Sequence, residues 1–190
     1  MAPGLFRGWR GEWRLRRGTT AFVTRISEEP DPDDVQWLAS VATDGDPDRA
    51  RWELRYARRA LGLLAAERDA LDDRTGSMVA RALSEALLVD RNIAAGMVRV
   101  AERQFNERLG MYRRVLTSRD ATEGTGARLG RALLQAAGAG ARPDSEAIAR
   151  GGALLARYLG GANEALRLSF GAPTLPEDQP PSIAVERTRR

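Results

Sequence analysis

IAAGMVRVAERQFNERLGMYRRVLTS, residues 93–118, is the stretch on which the fold reading turns. Its apolar residues Ala94, Val98, Ala101, Phe105, Leu109, Tyr112 and Leu116 are separated by four, three, four, four, three and four positions. That is the spacing of one face of an α-helix, sustained over roughly 37 Å at 1.5 Å per residue. Arg99, Glu102, Arg103, Asn106, Glu107, Arg113 and Arg114 fall on the opposite face, which is expected to meet water or a partner. A helix of this length with one apolar side has to pack against others.

The segments on either side repeat the pattern. Asp31-Pro32-Asp33 and Asp46-Pro47-Asp48 carry the same start signal. The first Asp caps free N–H groups, Pro suits the first helical position, and the second Asp complements the positive end of the helix dipole. A short helix over about 32–42 is expected, with Val35, Leu38 and Val41/Ala42 on one side beside Trp37. A long one over about 47–72 follows, with Leu54, Ala57, Leu61, Leu64 and Leu71 as its stripe. Arg68 interrupts that stripe and is expected to snorkel or to pair with Glu67 or Asp72. After the break at Asp72-Asp73-Arg74-Thr75-Gly76, a shorter helix to about Leu88 carries Val79, Ala82, Leu83, Ala86 and Leu87, and Asp90-Arg91-Asn92 turns the chain.

Beyond residue 118, Leu129, Leu133 and Leu134 mark a helix at about 126–138 that ends at Gly138 and Gly140. Pro143-Asp144-Ser145-Glu146 starts the last long helix, with Ile148, Leu155, Leu159, Ala162 and Leu166 buried. Gly151, Gly152, Gly160 and Gly161 inside it cost about 1 kcal/mol each relative to Ala, and so imply close helix contacts or a kink. Pro173, Pro176, Pro180 and Pro181 mark a Pro-rich, basic tail ending in Arg187, Arg189 and Arg190.

The fold expected is all-α: an antiparallel bundle of three long helices and two or three short ones. Its organisation reads as a basic aromatic arm over 1–30, a bundle over 31–170 and the tail over 171–190. Residues 1–26 admit two readings. As a helix, Leu5, Phe6, Trp9 and Trp13 share a face flanked by Arg7, Arg10, Arg14 and Arg17. As strands, residues 12–16 alternate, Arg17-Gly18-Thr19 turns, and residues 21–26 are strand formers. Gly4, Gly8 and Gly11 weaken the helix, so an extended arm or small hairpin is expected.

Composition excludes several chemistries. All 30 basic residues are arginine, and no histidine or cysteine occurs. An imidazole base, a thiolate, a Schiff-base amine and the usual zinc, haem or di-iron ligand sets are therefore ruled out. Arginine-only, Ala-rich usage fits a GC-rich bacterial genome without any functional cause. The net charge of +4 is unevenly spread: residues 1–25 hold six arginines against Glu12, and residues 26–50 hold eight acids against Arg49. No apolar run approaches the roughly 20 residues of a spanning helix, and charges interrupt any secretory signal near the N-terminus. A cytoplasmic protein is expected, with a place at the periphery of a membrane as the alternative.

Three candidate sites follow. Gly124-Thr125-Gly126 with Gly130 offers glycines at a helix start, but no strand precedes them as a dinucleotide fingerprint needs. Acids cluster at Glu67, Asp69, Asp72 and Asp73, and at Glu102 and Glu107, which leaves open an all-carboxylate Mg or Ca site. Arg68, Arg74, Arg103 and Arg108 beside them favour charge-paired surfaces instead. Tyr56, Tyr112 and Tyr158 read as core-edge residues rather than catalysts. The third candidate is the arm, where Phe6, Arg7, Trp9, Arg10, Trp13, Arg14, Arg16 and Arg17 combine aromatic area with guanidinium charge. Its simplest role is to close the open end of the bundle.

The function expected is a non-catalytic helical interaction protein with no cofactor, an accessory or scaffolding subunit docking through that arm and a bundle face. A protein partner or homo-oligomer comes first, an anionic membrane surface second and nucleic acid third, because the acidic segment after residue 26 opposes a polyanion. A carboxylate-dependent enzyme is the remaining alternative.

Overall fold

The structure, a computed structural model, describes residues 4–69, 73–118, 122–140 and 143–171, without the side chains of residues 4–10, 73 and 95. These residues form seven α-helices: α1 (Gly4–Ile26), α2 (Pro32–Ala42), α3 (Pro47–Asp69), α4 (Asp73–Leu88), α5 (Val98–Thr117), α6 (Thr125–Ala137) and α7 (Ser145–Phe170). A 3₁₀ turn at Ala95–Met97 precedes α5, and no strand occurs among the described residues. The all-α expectation holds. The start signals act as read: Asp31 accepts from the Asp33 amide at 2.8 Å, Asp46 from those of Asp48 and Arg49 at 3.0 Å, and Asp144 from that of Ala147 at 2.7 Å.

The extended reading of the N-terminus is overturned, because α1 is one unbroken helix from Gly4 to Ile26. The expected turn at Arg17-Gly18-Thr19 is instead a packing point. A β-carbon on Gly18 would lie 2.7 Å from the Ser169 carbonyl oxygen, so the missing side chain lets α1 close onto the end of α7. Phe22, Val23 and Ile26 then enter the core, with the Phe22 and Phe170 rings 6.2 Å apart. Burial of these apolar groups outweighs the glycine cost that local propensity predicts. The tail expected beyond Phe170 and the residues Leu71 and Asp72 lie outside the described residues.

α3 is the central helix, in contact with α1, α2, α4, α5, α6 and α7. The single stripe read for it is too narrow. Leu54, Ala57, Leu61 and Leu64 are buried as expected, but so are Ala50, Tyr56, Ala60, Leu63, Ala65 and Ala66 around the rest of its surface. α5 matches its reading more closely, with Ala101, Phe105 and Tyr112 buried, although Ala94 falls in the preceding loop, outside the helix.

The glycines of α6 and α7 divide into two classes. A β-carbon on Gly130 would lie 2.0 Å from the Ile148 carbonyl oxygen, and one on Gly152 would lie 2.3 Å from the Gly126 carbonyl oxygen. The glycine spacing weighed as a phosphate loop is thus the seam along which α6 and α7 touch backbone to backbone. Gly160 has nothing within 4 Å of such a carbon, and nothing in the structure explains it. Gly130→Ala and Gly152→Ala are expected to lower the unfolding free energy by about 1–3 kcal/mol through overpacking, and Gly160→Ala to raise it by about 1 kcal/mol. Thermal and denaturant melts of the three variants read the difference in sign.

Candidate functional site

Two concave surfaces bring polar and apolar groups together. The larger is an open groove of about 1040 Å³ between α1, the start of α4 and the end of α7. Helical spacing on α1 presents Gly11, Trp13, Arg14, Leu15, Arg17, Gly18, Ala21 and Arg25 along one wall. Arg74 and Thr75 form the second wall, and Ala165, Leu168, Ser169 and Phe170 the third. No acid lines this groove among the described residues. Trp13 is 54% exposed and Leu168 78% exposed, so two large apolar side chains face solvent beside the guanidinium groups.

Arg17 lies over the Trp13 ring at 5.4 Å, a cation–π contact that holds the indole, and the cation has no counter-charge among the described residues. Arg14 and Arg74 have no carboxylate partner among the described residues. Of the arm residues singled out in the sequence, Trp13, Arg14 and Arg17 come together here. Arg16 turns away and pairs with Glu12 at 2.7 Å. The side chains of Phe6, Arg7, Trp9 and Arg10 lie outside the described residues. Trp13 is half exposed, whereas Thr19, Phe22, Val23 and Ile26 of α1 are buried. Sequence reading missed Arg74, Leu168 and Phe170 as members of this surface, because only the folded chain brings the ends of α1 and α7 to the start of α4.

The second surface is a cleft of about 580 Å³ on the other side of α3. Arg49, Trp52, Glu53 and Tyr56 line it from α3, and Val100, Ala101, Gln104 and Arg108 from α5. The Arg108 guanidinium donates to both Glu53 carboxylate oxygens, at 2.8 and 2.7 Å, and to the Ala136 carbonyl at 3.2 Å, which ties α5 to α3 and α6. The Tyr56 hydroxyl donates to the Gln104 side-chain carbonyl at 3.1 Å. Nearby, Arg59 and Asp90 pair at 3.1 Å with side chains only 7% and 9% exposed, fixing the loop after α4. Burial pushes the Asp90 carboxyl up, but hydrogen bonds from Asn92 and Arg59 outweigh it and hold the group below the ordinary carboxylate range.

The described members of the acidic clusters do not converge. Glu67 pairs with Arg113 at 2.7 Å, and Glu107 stands 3.8 Å from Arg108. Arg68 pairs with its neighbour Asp69 at 2.7 Å rather than with Glu67, Asp72 lying outside the described residues, and this bond lowers the Asp69 carboxyl. Among the described residues no three acids gather as metal ligands. No described helix is long and apolar enough to cross a membrane. No protein-family model, curated protein or solved structure matches the chain.

Tyr56 and Tyr112 lie inside the core rather than at its edge. Burial raises all three tyrosine hydroxyls above their ordinary value near 10, with Tyr158 pushed up to about 12. A phenol that ionises later in the folded chain than in the unfolded one contributes no penalty below pH ~10 and destabilises the fold as pH rises past that point. Absorbance titration at 295 nm is expected to show tyrosine ionisation delayed beyond pH ~10 in the native protein and released together with loss of helical circular dichroism. Glu53→Gln, which leaves the Arg108 cation without its charge partner, is expected to cost about 3 kcal/mol in a urea melt.

Proposed function

We propose that the chain is a non-catalytic interaction protein, an accessory or scaffolding subunit that docks through the groove between α1, α4 and α7. The observation that carries this reading is the pairing of exposed Trp13 and Leu168 with Arg14, Arg17 and Arg74, three cations with no carboxylate partner among the described residues. Trp and Arg are the side chains that dominate binding energy at protein interfaces. The complementary partner is a protein segment with an apolar face bordered by Asp and Glu, laid along the α1 wall as a helix lies in a groove.

Within this reading the helices form an up-and-down bundle in which chain neighbours run antiparallel. Two contacts support that order: Gly76 on α4 lies against Glu67 on α3, and Asp90 beyond α4 pairs with Arg59 on α3. The mixed apolar and cationic character of the groove favours a protein over nucleic acid, because the indole and the leucine side chain need an apolar counterpart. An anionic membrane surface is the second reading, favoured by the same exposed Trp13 beside arginines.

The test uses the full chain and three probes: a designed acidic amphipathic peptide, phosphatidylglycerol vesicles and duplex DNA. Binding of the peptide is expected, weakened at least about tenfold by Trp13→Ala and by the double variant Arg14→Gln/Arg17→Gln. Light scattering reads whether a second copy fills the groove instead. A protein that stays monomeric and ignores the peptide overturns the proposal, and flotation with the vesicles alone transfers it to the membrane reading.

A further inference from the structure

The cleft between α3 and α5 shares no lining residue with the docking groove. Its volume of about 580 Å³ lies in the range of small-molecule sites rather than of protein docking surfaces. Trp52, Tyr56, Ile93, Met97 and Val100 supply the apolar part of a lining that is nearly as polar as it is apolar. Met97 is 52% exposed, and an unbranched, polarisable thioether at the mouth adapts to whatever enters.

The polar groups of the cleft are held in place before any ligand arrives. Glu53 and Arg108 neutralise each other through two hydrogen bonds. Gln104 spends its carbonyl on the Tyr56 hydroxyl, which leaves its amide N–H groups as donors toward the cleft. The loop 90–93 is fixed by Asp90, which accepts from the Asn92 amide at 3.0 Å while pairing with buried Arg59. Arg49 is the one lining charge with no carboxylate partner among the described residues. Its Nη2 would lie 2.3 Å from a β-carbon on Gly138, so the guanidinium rests against the C-terminal end of α6. That end carries partial negative charge, which positions the cation without cancelling it.

We infer that this cleft binds a small amphipathic monoanion, with its carboxylate on Arg49 and the Gln104 amide and its apolar body between Trp52 and Tyr56 on one side and Met97 and Val100 on the other. A neutral ligand of the same shape leaves Arg49 unmatched, and a dianion brings more charge than the cleft offsets. An apolar body displaces water from the aromatic wall, and the carboxylate gains a charge-assisted hydrogen bond.

The probe is octanoate, with octanol as its uncharged counterpart, added to the full chain carrying isotopically labelled methionine methyl groups. Saturable movement of the Met97 methyl resonance is expected, with Met78 and Met111 unmoved. By calorimetry octanoate is expected to bind about tenfold more tightly than octanol, and Arg49→Gln to erase that difference. Val100→Glu, which places a negative charge in the wall, is expected to abolish octanoate binding, whereas Arg14→Gln/Arg17→Gln in the docking groove leaves it unchanged. A stationary Met97 resonance, equal affinity for octanoate and octanol, or a loss that follows the groove variant rather than Arg49→Gln overturns the inference. Circular dichroism of each variant separates loss of binding from loss of fold, and the Met97 reading requires no variant.

Discussion

Enclosure of α3 on every side is the constraint from which the rest of the structure follows. A surface helix can send its charged residues to water, but the middle of α3 cannot, and Glu53, Arg55 and Arg59 are each less than a tenth exposed. An uncompensated buried charge costs several kcal/mol, so each must find an opposite charge from elsewhere in the chain. Arg108 on α5 meets Glu53, Glu29 before α2 meets Arg55, and Asp90 after α4 meets Arg59. Three elements distant in sequence are thereby brought to defined points on one rod. The apolar core supplies most of the stabilising energy, and these pairs help specify which arrangement receives it.

The same constraint explains why the fold was more legible in the sequence than the surfaces on it. Helix starts are local events, and the Asp-Pro-Asp signals at 31–33 and 46–48 act as local chemistry predicts. Periodicity reported the stripes of α5, α6 and α7 because each presents one face to the core. It failed for α3, where Arg55 and Arg59 look in sequence like a solvated face and are buried only because distant acids neutralise them. It failed for α1 as well, since the small residue at Gly18 looks like a break until the Ser169 carbonyl is placed against it.

The candidate surfaces follow the same division. Trp13, Arg14 and Arg17 were visible as an aromatic and basic cluster, because four residues of helix suffice to bring them together. Arg74 and Leu168 were not, since nothing in their local sequence announces that the start of α4 and the end of α7 flank α1. The cleft between α3 and α5 carried no motif at all. Its lining mixes residues that read as core, such as Tyr56 and Ala101, with others that read as solvated, such as Arg49 and Gln104.

The closure of α1 onto the end of α7 also bears on how the chain is made. Phe22 waits for Phe170, and Gly18 for Ser169, so α1 is made well before the helix that covers it. Until α7 has emerged, the apolar edge of α1 at Phe22, Val23 and Ile26 stays uncovered, which favours engagement by chaperones or premature association during synthesis. For this molecule, biogenesis is a race between α7 and any other greasy surface that reaches α1 sooner.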